Sequence, residues 1–152
     1  MRAKVRRIIM AASHFSGPLV VGGVYYNAGE VASVTTGQTL TAADNGKVVF
    51  LGDVAPGDVT LPAVTLTGFS VKVINTATTT TSGAVISAEG DNISGVLTVN
   101  GALIAAVAED QINFIGSASV AGDWIEIVSD GTQWLVSGAG SAAGSITATD
   151  PA

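Results

Sequence analysis

Few side chains in this 152-residue sequence could do chemistry. His14 is the only imidazole, and there is no cysteine. A Ser-His-Asp arrangement would have to use His14, close to a terminus, yet a base must stand within hydrogen-bond reach of its nucleophile. His14 therefore reads as part of an arm that docks on something. Without thiols there is no disulfide, no cysteine nucleophile and no Cys-ligated zinc or iron–sulfur cluster. Carboxylates come close together at Asp53 and Asp58, at Glu89 and Asp91, and at Glu109 and Asp110. Such pairs can serve glycoside hydrolysis or offer oxygen ligands to Ca²⁺. None lies in a D-x-D-x-D-G loop, and most fall at turns, where an acid is simply solvated. No G-x-x-x-x-G-K-[ST] phosphate loop is present. The run Gly138-Ala139-Gly140-Ser141-Ala142-Ala143 matches G-x-G-x-x-A, but only nine residues follow it, too few for the helix and second strand a dinucleotide site needs. The residues thus point to no enzyme: no catalytic residue, cofactor or metal is expected, and no small-molecule substrate.

The elements that would carry such groups are legible in the composition. Ala, Gly, Ser and Thr make up nearly half the chain, and charged residues only 12%, about half the usual quarter. The abundance of Val, Ile and Thr favours strands over helices. Low charge with many small apolar side chains suggests surface destined for burial against other chains. No stretch reaches 18 consecutive apolar residues, so no transmembrane helix is expected. Arg2, Lys4, Arg6 and Arg7 are four of the six basic residues; the remainder carries Lys47 and Lys72 against all twelve acids. So acidic a body would repel phosphate, which argues against a nucleic-acid partner. The apolar run after Arg7 is too short for a secretory signal.

From residue 17 onward, turn signals recur, many of them eight to twelve residues apart, among them Asn27-Ala28-Gly29, Asp44-Asn45-Gly46, Asn100-Gly101 and Asp130-Gly131. Between them lie runs of strand length: 19–21, 47–51, 59–61, 69–75, 84–87, 96–99, 111–115, 124–129 and 132–137. In Phe69-Ser70-Val71-Lys72-Val73 one face is apolar and the other polar. Asp130-Gly131 as a two-residue loop would set Ser129 against Thr132 and Ile127 against Trp134. Only 102–109 could compete as a helix, and it is short and poorly capped. Residues 76–82 and 138–145 have loop and linker composition. The recurrence of turn and strand is that of any meander. The expected fold is all-β, a single compact sandwich or barrel, jelly-roll-like in outline. A basic extended arm occupies 1–16, the β domain 17–137, and a flexible Gly/Ala/Ser-rich tail 138–152.

Two segments carry a resemblance. His14-Phe15-Ser16-Gly17-Pro18-Leu19-Val20-Val21 is similar to the opening of small virion proteins of tailed bacteriophages, where a S-x-F-S-G-P-like stretch begins the ordered region. The run from Val59-Thr60-Leu61-Pro62-Ala63 through Phe69–Asn75 to the Trp124–Val136 hairpin resembles the β modules of phage capsid decoration and head-fibre proteins. Those modules often pair a TLPA strand with a final SDGT-x-W hairpin. The resemblance implies a decoration, or cement, protein on the outer capsid surface of a virion. Such proteins commonly assemble as homotrimers and clamp neighbouring major capsid protein subunits against internal DNA pressure. On that reading Arg2, Lys4, Arg6 and Arg7 would meet acidic groups of the capsid or a neighbouring protomer, while Phe15, Pro18 and Leu19 would anchor in apolar pockets. The long basic start departs from the most familiar small cement proteins. An alternative is a receptor- or glycan-binding module of a head or tail fibre, with Tyr25, Tyr26 and the tryptophans stacking on sugars.

Overall fold

A computed structural model describes residues 19–21, 24–26, 31–34, 37–52, 57–76, 82–90 and 92–151, the first three segments by their backbone alone. In chain order the strands are β1 (Leu19–Val21), β2 (Val24–Tyr26), β3 (Val31–Val34), β4 (Gln38–Thr39), β5 (Val48–Leu51), β6 (Val59–Thr60) and β7 (Ser70–Asn75). They continue as β8 (Gly83–Ile86), β9 (Ile93–Val99), β10 (Ala102–Glu109), β11 (Gln111–Phe114), β12 (Trp124–Ser129), β13 (Trp134–Gly140) and β14 (Ile146–Thr149). There is no α-helix among the described residues.

The fold is an all-β sandwich, as the composition implies. A seven-stranded sheet runs β10-β9-β13-β12-β7-β5-β3, a five-stranded sheet runs β14-β11-β8-β6-β4, and β1 and β2 form a separate pair. The connectivity inside the sandwich is neither a meander nor the Greek key of a jelly roll. From β3 to β8 the chain alternates between the two sheets. Strands β3, β5 and β7 pair in parallel in the large sheet, and β4, β6 and β8 pair in parallel in the small one. The segment therefore winds around the core instead of folding back on itself. Antiparallel pairing dominates the later half, with β9 and β13 the parallel exception.

The core is built by period-two alternation. Strand β7 alternates half-buried Ser70, Lys72 and Ile74 with buried Val71, Val73 and Asn75. Val49, Val73, Ile93, Leu97, Ile125, Ile127 and Trp134 from the large sheet meet Val59, Val85, Ile112, Phe114 and Ile146 from the small one. Phe69 packs edge-on against Trp134, centroids 5.9 Å apart at 84°, a pairing that adds about 0.5–1.5 kcal/mol beyond area burial. Two glycines allow the close approach of β9, β13 and β12. A Cβ on Gly95 would lie 1.9 Å from the Val136 carbonyl oxygen, and one on Gly138 2.4 Å from that of Trp124.

Residues 102–109, the one run that could compete as a helix, are strand. Asn100 and Gly101 have φ of 50° and 77°, which closes a tight hairpin and pairs Ala102 with Val99; pairing along β9 overrides the local helix propensity. Two sequence expectations are revised. Residues 138–152 are not a tail: β13 runs on through Gly140, and β14 pairs along β11 with Ile146 fully buried. Small side chains there serve close packing, which composition alone does not distinguish from a linker. The last hairpin is longer than two residues, and Ser129 faces Trp134. The Asp130 carboxylate accepts from the N–H groups of Thr132 and Gln133, both at 2.8 Å, so residues 130–133 form the loop. The register moves by two residues, so each side chain keeps its expected face.

Candidate functional site

The groups singled out for chemistry serve the fold or lie outside the described residues. His14, Asp53 and Asp91 are among the latter. Asp58 accepts from the Ala84 N–H at 3.0 Å, and Glu89 from the Val64 N–H at 3.1 Å. The Glu109 carboxylate accepts from the Val107 N–H of its own strand at 3.5 Å. No group of three or more His, Asp or Glu side chains could hold a metal among the described residues.

Of the proposed contact residues, Arg2, Lys4, Arg6, Arg7, Phe15 and Pro18 also lie outside the described residues. Leu19 opens β1, its backbone paired with Tyr26. Sugar stacking by both tryptophans does not survive: Trp134 is fully buried in the core. Trp124 is half-buried, with the Lys72 ammonium 4.2 Å from its ring centre.

What the strands do bring together is a surface. Residues directly opposite one another on neighbouring strands share a face. On the side of the large sheet turned away from the core, one row reads Leu103, Thr98, Ala139, Trp124, Ile74 and Phe50. The next reads Ala105, Val96, Ser137, Glu126, Lys72 and Val48, and a third Ser94, Leu135, Val128 and Ser70. Lys72 and Glu126, the only charged residues in these rows, stand opposite each other. Lys47 is held off to one side, its ammonium 3.1 Å from the Asp44 carboxylate. Leu103 is 76% exposed, Val96 51% and Leu135 44%. A hollow lined by Glu126, Val128, Leu135, Val136 and Ser137 interrupts the face.

A solvated sheet face normally alternates to polar residues. Here β5 (Val-Val-Phe-Leu) and most of β10 (Ala-Leu-Ile-Ala-Ala-Val-Ala) are apolar at both parities. Those uninterrupted runs were the signal in the sequence, since they mark strands meant to be covered on both faces. The arrangement offers apolar area with one cation–π pair, and places no nucleophile beside a base among the described residues. No protein-family model matches this sequence, and no curated protein matches it. Fold and face together define a β-sandwich with a largely apolar outer face on its larger sheet.

Proposed function

We propose that this protein is a virion structural protein that decorates and stabilises an icosahedral phage capsid by binding across neighbouring major capsid subunits. The observation that carries this reading is the apolar outer face of the large sheet. A clamp needs no reactive group; it needs area that touches several subunits at once, each modest contact gaining from effective concentration. The basic arm at residues 1–16 supplies a second attachment of opposite charge to the acidic body, and the resemblance in residues 14–137 points the same way.

Capsid shells stripped of decoration, mixed with the full chain and sedimented, test it. Wild type is expected to co-sediment and to raise the temperature at which the shell opens. Leu135→Glu puts a charge on the face; it should abolish binding while leaving the unfolding free energy within about 0.5 kcal/mol, as for an exposed site. Deleting residues 1–18 should weaken binding without abolishing it. A wild-type chain that stays in the supernatant, or a Leu135→Glu variant that binds as tightly, overturns the proposal.

A further inference from the structure

We propose that the free edge of β10 pairs antiparallel with β10 of a second copy of this chain, joining two large sheets into one. This goes beyond the capsid reading and does not depend on it. Strand β10 ends the seven-strand order and, among the described residues, is bonded into a sheet by β9 on one side only. The tight hairpin at Asn100-Gly101 makes Val99 and Ala102 a bonded pair. Alternation then turns the N–H and C=O of Leu103 and Ala105 toward the open side.

Edge strands are usually protected by lysines, prolines, bulges or short length. This one has eight residues, with no charge and no proline from Ala102 to Ala108. Its protection is the bulge between Ala106 and Glu109, where the Val107 N–H is held by the Glu109 carboxylate at 3.5 Å, a contact that pairing with a second copy must displace. Leu103 and Val107, 76% and 73% exposed, face solvent on it.

The charge distribution selects the occupant. Beyond residue 7 the chain carries twelve acids against two lysines, so two copies repel except where they meet on an uncharged strip, and β10 is such a strip. Pairing about Ala105 sets Leu103 of each copy against Val107 of the other, so one two-fold contact buries both side chains twice. It also throws the two Glu109 carboxylates to opposite ends, roughly 26 Å apart at 3.3 Å per residue, well beyond screening range at physiological salt. Such a contact closes at two copies, where the resemblance implied three.

Sedimentation velocity of the full chain over a concentration series tests this. Wild type is expected to be a dimer. Leu103→Lys and Val107→Glu should each raise the dimer dissociation constant about a hundredfold, since each substitution enters the contact twice at about tenfold apiece. Circular dichroism and the melting temperature of the monomer should stay as in wild type. The double variant Leu103→Lys/Val107→Glu should dimerise again, because each lysine then faces a glutamate of the other copy. A wild-type monomer, a three-copy assembly, single variants that remain dimeric, or a double variant that stays monomeric would each overturn the proposal.

Discussion

Asp123 is the buried acid on which one end of the sandwich turns. Its carboxylate accepts from the Ser141 N–H at 2.9 Å, and from the Val120 N–H and the Ser119 hydroxyl, both at 3.1 Å. Ser119 in turn accepts from the buried Asn75 side chain of β7 at 2.8 Å. One carboxylate thus ties the 116–123 connection to β7 and to the β13–β14 turn. Burial pushes its pKa up, but the Ser141 and Val120 N–H groups, then the serine hydroxyls, outweigh that and hold it below 3.8. Each hydrogen bond to an ionised group contributes about 1.5–3 kcal/mol, with incomplete additivity. Asp123→Ala is therefore expected to cost about 3–4 kcal/mol, and Asp123→Asn, which keeps one acceptor but turns an NH₂ toward other donors, about 2 kcal/mol. A pKa lowered by folding gives stability that is complete above the unfolded value and is lost as pH falls through the folded one. The gap between wild type and Asp123→Asn should be widest at pH 7 and shrink once the pH drops below 3.8. Urea unfolding followed by the fluorescence of buried Trp134 measures both. A cost under about 0.5 kcal/mol at pH 7, or a gap that does not narrow in acid, refutes the reasoning.

Two further predictions concern backbone geometry. Gly95→Ala would put its Cβ 1.9 Å from the Val136 carbonyl oxygen at a φ of 156°, so β9 and β13 must part; a loss above about 3 kcal/mol is expected in thermal or urea unfolding. Asp130, held to a pKa of about 2 by the Gln133 N–H, the Thr132 hydroxyl and the Thr132 N–H, should titrate there by NMR. In Asp130→Ala the amides of Thr132 and Gln133 should exchange faster while those of β12 and β13 do not.

Much of the fold was legible because period-two alternation is a local signal. The run Phe69-Ser70-Val71-Lys72-Val73 states its inward face residue by residue, and Phe69, Val71 and Val73 are the side chains the structure buries. The winding was not legible. A connection such as that from Leu51 to Val59 is long enough either to reverse within a sheet or to cross the roughly 10 Å between sheets, and turn residues do not tell these apart. Likewise Gly138-Ala139-Gly140 reads as linker, because the reason for those small side chains is the neighbouring strand, remote in sequence. The apolar outer face was half legible: low charge suggested that much surface would be apolar, but only the register of six neighbouring strands shows that Phe50, Trp124 and Leu103 lie in one row.

That register also joins the winding to the face. Parallel strands are ordinarily covered on both sides, and their sequences run apolar without alternation. Strands β5 and β7 belong to the wound half and carry Val48, Phe50 and Ile74 outward, while the antiparallel half continues the same rows through Trp124, Val128, Leu135 and Val96. The inner side has its cover in the small sheet; the outer side has none among the described residues. Fully burying one Val, Leu, Ile or Phe side chain is worth about 1.5–3 kcal/mol, so even partial cover over this many positions outweighs the few tenths that one rim charge contributes. Association through this face should therefore weaken little with added salt, whereas attachment through Arg2, Lys4, Arg6 and Arg7 should weaken steeply. Capsid binding measured across ionic strength, with and without residues 1–18, separates the two: the truncated chain is expected to bind with a nearly flat salt response, and a steep one would move the principal contact away from the large sheet.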